Sequence, residues 1–351
     1  MDIQTEFNDL LAEIEGEMRS VLDERQGHAR PLYEMLAYHL GLDQTEGPRG
    51  KRMRPLLGLL AYEALVGNHD DALPAAAAVE LGHNFSLVHD DIEDSDRERR
   101  HRPTLWAIWG VPMAINAGDA LFALSRLALY RLVHSEKYEP QKLLDVMHVY
   151  DETCLALCEG QYLDISFERR VDVTVDEYME MIGKKTAALL GASLQQGAML
   201  ADRDEETVEA FRRFGFELGI AFQMADDLKG TFWATRDSGK PVAGDVRKRK
   251  KTLPLVWALQ HASEPDAARL REIYQPIRAT DGSLPPEVEV PMTQEQVDEV
   301  LAILERSGAH EHARREALRY REMALANVAA LSVPEENRAA LRLLVESVIS
   351  I

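Results

Sequence analysis

Apolar residues recur at helical spacing along almost all of this chain, and convincing runs of alternating strand pattern are absent. Leu10, Ile14, Met18, Val21 and Leu22 set the pattern in an acidic N-terminal segment. A break at Gly47-Pro48-Arg49-Gly50 ends the next helical stretch, and Leu56 to Val66 resumes it. Asp71 to Asp94 is rich in Ala and Leu with no proline after Pro74, so one long helix is expected there, stopped by Pro103. Ala107 to Leu132, Leu143 to Glu168, Val175 to Leu200 and Glu205 to Leu228 are further long helical patterns. Tyr274 to Thr293 differs: Pro276, Pro285, Pro286, Pro291 and Gly282 mark a surface loop or insertion. Gln294 to Leu331 returns to helix, and Pro334 precedes a final one. The expected architecture is all-α, a single domain over residues 1–351 with roughly ten or more helices and a loop insertion at 274–293. Length alone slightly favours two domains, but no shift in composition marks a boundary.

Composition narrows the function. With 351 residues and 46% hydrophobic content the chain can bury a sizeable core. Its 60 acidic and 40 basic residues give a formal charge of -20, which repels a phosphate backbone and argues against nucleic acid as a partner. Cys154 and Cys158 share a helix face but are too few ligands for zinc, and read as reduced core cysteines. The start, Met1-Asp2-Ile3-Gln4-Thr5-Glu6, is acidic where a signal peptide is basic. No run approaches the roughly 18 apolar residues needed to cross a bilayer. The expected location is the cytoplasm.

Two carboxylate clusters carry the chemistry. In Asp90-Asp91-Ile92-Glu93-Asp94, the first and last aspartates lie one helical turn apart on one face. Two like charges so placed destabilise a helix unless a cation sits between them. Mg²⁺ suits the position, because it combines one or two carboxylates with waters and substrate phosphates. Asp91 points about 100° away and fits a supporting role. Arg97, Arg99, Arg100 and Arg102 follow at once, and forked guanidinium donors match phosphate oxygens. A solvated acidic helix end with internal salt bridges is the plainer reading.

The second cluster, Phe222-Gln223-Met224-Ala225-Asp226-Asp227, closes another apolar helix. Lys240-Pro241, Asp245 and the basic run Arg247-Lys248-Arg249-Lys250-Lys251 follow it. A third basic group, Lys51-Arg52-Met53-Arg54-Pro55, comes just after the glycine break. Either basic run, taken alone, reads as a solvated charged surface. Three basic groups and two Asp pairs set in apolar helices point to two anionic substrates beside an apolar cavity.

These residues resemble, in order and spacing, the trans-isoprenyl diphosphate synthases. The resemblance rests on Gly50-Lys51-Arg52-Met53-Arg54-Pro55, His83, Asp90 to Asp94 with Arg99-Arg100 and Pro103-Thr104, and Gly160-Gln161-Tyr162-Leu163-Asp164. It continues through Lys185-Thr186, Phe222-Gln223, Asp226-Asp227, Gly239-Lys240-Pro241 and Lys250-Lys251-Thr252-Leu253-Pro254. It implies an isoprenoid synthase fold with a central cavity between helices, a homodimer, and Mg²⁺-dependent condensation of an allylic diphosphate with isopentenyl diphosphate using two or three ions. Carried across, Asp90, Asp94 and Asp226 would bind Mg²⁺. Arg99, Lys185, Thr186, Gln223, Lys240 and Lys250 would face the allylic diphosphate, and Lys51, Arg54, His83 and Arg100 would hold isopentenyl diphosphate.

The match departs from the family pattern in one place. Asp226-Asp227-Leu228-Lys229-Gly230 has glycine where the family has a third aspartate. The Trp-Gly-Asp that follows in some bacterial relatives is here Phe232-Trp233-Ala234. This leaves room for a weakly active or regulatory subunit, and a terpene cyclase also uses an Asp-rich metal site in an all-α cavity. Product length is read upstream of Asp90: Phe85 and Ser86 stand roughly 6–8 Å along the helix, at about 1.5 Å per residue. A ring at 85 would form a floor under the growing chain, as in short-chain geranylgeranyl diphosphate synthases. A plain core phenylalanine is the alternative.

Overall fold

The computed structural model describes residues 6–24, 27–43, 50–233, 243–275 and 292–349. In chain order the helices are α1 (Asn8–Asp23), α2 (Arg30–Leu40), α3 (Met53–Val66) and α4 (Leu73–Glu93). A short hairpin, β1 (Glu98–Arg99) and β2 (Arg102–Pro103), leads to α5 (Leu105–Trp109), α6 (Val111–Tyr130) and α7 (Pro140–Glu168). Then come α8 (Val175–Ile182), a π turn at Gly183–Ala187, α9 (Ala188–Leu200), α10 (Glu205–Phe232) and α11 (Gly244–Arg247). The chain continues through α12 (Leu253–His261), α13 (Glu264–Tyr274), α14 (Gln294–Arg306), α15 (Ala309–Ala330) and α16 (Glu335–Val348). The all-α expectation holds. The expected insertion at 274–293, the break at Gly47-Pro48-Arg49 and the Gly239-Lys240-Pro241 segment fall mainly or wholly outside the described residues.

Packing groups the chain into two compact units. The first comprises Met1–Leu155, Leu189–Phe216 and Ala324–Val348; the second comprises Ala156–Ala188, Glu217–Met323 and Ile349–Ile351. The boundaries fall inside helices α7, α9, α10 and α15 or at their ends. Among the described residues, no helix is long and apolar enough to cross a membrane.

Helix α4 is the core of the first unit. Pro74 starts it, Ala75 to Ala78 are buried on every side, and it packs on α6, α3 and α1. Its small residues admit close neighbours. A Cβ at Gly82 would collide with Tyr150 Oη, which donates to Ala78 O at 3.2 Å. On the facing helix, a Cβ at Gly118 would collide with the His89 ring.

The basic run before α3 divides in the structure. Lys51 is exposed, but Arg52 is buried with a left-handed backbone (φ 49°) at the helix start. Its Nη1 meets Glu80 Oε1 at 2.7 Å, its Nε meets Glu15 Oε1 at 3.4 Å, and its Nη2 donates to Leu40 O. One guanidinium therefore ties α1, α2 and α4 to the start of α3.

Several local expectations need correction. The stretch Ala107 to Leu132 is two helices, because Gly110 adopts φ 81° and Pro112 opens α6. Val175 to Leu200 is interrupted by the π turn. The β1–β2 pair, with Arg99 opposite Arg102, is a tight antiparallel turn that no strand pattern announced. Both cysteines are free, but only Cys154 is buried; Cys158 is exposed.

In the second unit, Thr174 and Glu177 form a reciprocal cap on α8. Val246 of α11 packs into an apolar core with Leu255, Leu270, Ile273, Val300 and Ile303.

Removing one partner of a buried charge network strands the others. Arg52→Ala is expected to destabilise the protein by about 3–5 kcal/mol, and Lys51→Ala by less than about 0.5 kcal/mol, in denaturant titrations.

Candidate active site

Each Asp pair divides its labour in the same way. In the first unit, Asp90 and Asp94 close α4, with Asp94 N–H donating to Asp90 O at 2.8 Å, and both side chains are partly exposed. Asp91 between them is buried, and its Oδ1 accepts from Arg99 Nε at 2.7 Å. Burial outweighs Arg99 and pushes the Asp91 carboxyl up to about 6. In the second unit, Asp226 is exposed on α10 while Asp227 is buried. Asp227 accepts from Tyr178 Oη at 2.9 Å, Gln223 Nε2 at 2.9 Å and Leu253 N at 3.1 Å. Burial first, and then the charge of Asp245, raise it to about 7 against those three donors.

Around α4 the first unit gathers cations. Arg54 Nη1 and His83 Nε2 are 3.1 Å apart. Burial, then Arg54, Arg100, Arg99 and His39, hold His83 well below the usual histidine range. His39 is lowered in the same way, by burial and then by Arg100, Arg99 and Arg52. Burial also brings Arg100 down to about 10, so it stays charged at neutral pH. Gly50 lets Arg100 in: a Cβ there would stand 2.8 Å from its Nη2. His39, Arg99, Arg100 and Arg102 line a cleft with Tyr38 and Asp91. His39 Nε2 and Arg54 Nε are shielded from solvent and have no hydrogen-bond partner in the protein. An unmatched buried guanidinium donor, Arg54 Nε, beside crowded arginines is the signature of an anion site.

The hairpin aims these arginines. Arg100 and His101 both have positive φ (52° and 60°), the conformation of a two-residue turn that Asn-Gly fills with least strain. The turn is held from outside: Arg102 pairs with both oxygens of Asp43 at 3.0 and 2.7 Å and lies over the Tyr38 ring, and Tyr38 Oη donates to Pro103 O at 3.0 Å.

In the second unit the π turn presents Lys185 and Thr186. Gly160 makes room, since a Cβ there would collide with the backbone of Lys185. Lys185 Nζ donates to Asp164 Oδ2, which also lies 3.8 Å from Lys250 Nζ. Burial raises the Asp164 pKa, but Lys185, Lys250 and Lys251 outweigh it and keep the carboxyl ionised. Thr186 Oγ1 donates to Gln223 Oε1 at 2.7 Å. The expected site residues thus gather as Arg54, His83, Arg99 and Arg100 in one unit, and as Lys185, Thr186, Gln223 and Lys250 in the other. Lys51 is exposed at the start of α3, and Lys240 lies outside the described residues. Phe85 is buried, its ring 5.1 Å from that of Phe122 on α6, and Ser86 Oγ donates to His83 O at 2.9 Å.

Motif spacing assigns no role to His39, Glu80, Asp164 or Tyr178. Asp164 stood inside a recognised motif, which was the available signal; the other three depend on contacts distant in sequence. The donor set fits Mg²⁺: Asp90 and Asp94 give hard oxygens one turn apart on an intact helical turn, and the ion completes its octahedron with water and phosphate. Glu13, His69 and Asp70 also converge, within 4.8 Å, but Glu13 and Asp70 are exposed and His69 Nε2 sits 2.9 Å from Glu13, as in an ordinary surface pair.

Asp227 yields a pH test. Its folded value of about 7 lies above the ordinary 3.8, so the unfolded chain releases this proton first. Folding stability therefore falls through this group as pH rises from about 4 to about 7. Melting curves across that range should show the decline in wild type reduced in Asp227→Asn.

Known proteins resemble this chain in sequence and fold. The family model for polyprenyl synthetase matches residues 35–287. A short chain isoprenyl diphosphate synthase of Methanothermobacter thermautotrophicus is 42% identical over 275 residues, 78% of each chain. A geranylgeranyl diphosphate synthase of Mycobacterium tuberculosis is 43% identical over 250 residues, 70% of each chain. The crystal structure of a geranylgeranyl pyrophosphate synthetase from Pyrococcus horikoshii superposes with a TM-score of 0.86 at 33% identity, covering 100% of this chain and 98% of that one. With the family match running through the helices that carry both Asp pairs and both sets of cations, the chain belongs to the polyprenyl synthetase family.

Proposed function

We propose that this polyprenyl synthetase joins isopentenyl diphosphate to an allylic diphosphate (dimethylallyl, geranyl or farnesyl) and releases a short trans-prenyl diphosphate, the twenty-carbon geranylgeranyl product. The observation that carries this reading is the cluster of arginines beside α4, where Arg54 Nε is buried without a partner. A terpene cyclase binds a single diphosphate substrate and has no use for a second anion site. The relatives bear names of prenyl diphosphate synthases, and the cyclase alternative gains nothing from them.

The roles follow from chemistry. Lys51, Arg54, His83 and Arg100 hold the diphosphate of isopentenyl diphosphate. Arg99, Lys185, Thr186, Gln223, Lys240 and Lys250 receive the allylic diphosphate, and Asp90, Asp94 and Asp226 hold Mg²⁺. When bound, the metal offsets charge on the diphosphate and makes it a better leaving group. Asp91 fixes Arg99 through Nε and leaves its terminal amino groups for phosphate oxygens. Asp164 holds Lys185 and Lys250 close together through one carboxylate oxygen. These fixed cations stabilise the charge that grows on the departing oxygen, more in the transition state than before it. The allylic cation left behind must be kept from water while the new carbon–carbon bond forms. The proton then lost passes to the departed diphosphate, so no protein nucleophile is required.

The Phe85 ring packs 5.1 Å from that of Phe122, an arrangement suited to a floor under the growing chain, which supports a short product. One catalytic domain is part of the same reading, as the family match is unbroken from residue 35 to 287. So are a cytoplasmic location and a homodimer. Ile108, Trp109, Val111, Met113, Ile115, Leu127 and Tyr130 of α5 and α6 are exposed apolar residues that a second copy would cover.

Purified protein incubated alone with Mg²⁺, labelled isopentenyl diphosphate and each allylic primer tests the reading. Extension to twenty carbons is expected; cyclised hydrocarbon would mean a cyclase, and turnover only with a partner protein would mean a regulatory subunit. Phe85→Ala should shift the dephosphorylated alcohols to longer chains on chromatography, and an unchanged pattern would put the floor elsewhere. Light scattering should give a dimer for wild type and a monomer for Met113→Glu.

A further inference from the structure

We infer that Asp245, on the short helix α11, supplies the carboxylate that the fifth position of the second Asp motif lacks. The inference rests on the proposal that Asp226 holds Mg²⁺. Gly230 stands four residues after Asp226, so the two positions share one face of α10, a single turn apart. In a five-residue motif with acids at both ends, that face carries the pair that meets the metal. Here the fifth residue has no side chain, yet its place is filled. A Cβ built on Gly230 would collide with Asp245 Oδ2, and Oδ1 of the same carboxylate would stand 3.1 Å from it. Both oxygens lie where an aspartate at 230 would begin. An acid at 230 and Asp245 in its present position exclude each other, so glycine here is the condition for the second carboxylate to approach.

The backbone holds Asp245 in that position. Ala243 enters α11 in the left-handed region (φ 56°), Arg247 N donates to Ala243 O at 3.0 Å, and Lys250 N donates to Asp245 O at 3.0 Å. Val246, the next residue, is buried in the apolar core of this unit. The motif is thus completed through space, and its apparent degeneracy in sequence does not remove an acid from the site.

The test reads metal binding directly. Mn²⁺ in the presence of inorganic diphosphate is titrated into the full-length protein, and free Mn²⁺ is followed by electron paramagnetic resonance. Wild type is compared with Asp226→Asn, the near-isosteric Asp245→Asn, and the double variant Asp245→Ala/Gly230→Asp, with melting temperatures as the folding control. Asp245→Asn should weaken Mn²⁺ binding by about tenfold or more. The double variant, which moves the acid back onto α10, should recover most of that loss. If Asp226→Asn weakens binding and Asp245→Asn does not, the role of Asp245 is overturned while the Asp226 reading stands. If neither changes binding, the Asp226 reading falls and takes this inference with it. A double variant that folds normally but binds no better than Asp245→Asn overturns the positional argument.

Discussion

An excess of buried positive charge beside α4 governs the first unit. Arg52, Arg54, Arg99 and Arg100 crowd around His39 and His83 there, against the buried carboxylates of Glu15, Glu80 and Asp91. Cations crowded away from water are tolerated only if some are neutralised and others pushed toward their uncharged form. Both responses occur. Burial tends to raise Glu80, but Arg52, with Arg100 and Asn84, more than offsets it and keeps the carboxyl ionised, while the two histidines are driven well below their usual range. What remains is a demand for an anion. In a chain of charge -20 this local reversal of sign matters, because the field felt by an approaching diphosphate is set by the nearest groups and screened beyond about 8–10 Å.

The two Asp pairs obey a simpler constraint. Neighbouring residues on a helix point about 100° apart, so an Asp-Asp pair cannot present both carboxylates to one ligand. The inner acid of each pair turns into the protein. Asp91 takes a charged partner and becomes the mount for Arg99. Asp227 takes three neutral donors and joins α8, α10 and the start of α12. The outer acids, Asp90 and Asp226, keep access to solvent. In the proposed metal site, the doubled aspartate sets a ligand and its anchor side by side.

The helical fold was legible because periodicity is local, and α3, α4, α7 and α10 follow it closely. The departures are places where one residue's backbone decides. Gly110 with φ 81° splits an apparently continuous helix. Arg100 and His101 form a turn that their side chains do not favour, so neither turn chemistry nor strand alternation announced the hairpin. Among the candidate residues of the two units, spacing marked Asp90, Arg99, Lys185 and Asp226, since motifs record positions along a chain. It did not separate buried Arg52 from exposed Lys51, because the partners of Arg52 are Glu15 and Glu80 on other helices. Nor did it connect Gly230 with Asp245, which meet only after folding.

The central claim is that the cations beside α4 form an anion site without metal. Calorimetric titration of isopentenyl diphosphate into protein freed of divalent ions with EDTA tests it most directly. The account predicts that binding persists without metal and weakens by about tenfold or more in Arg100→Gln, the loss expected for a charged hydrogen-bonding group. Binding that requires Mg²⁺, or that is unchanged in Arg100→Gln, would contradict it.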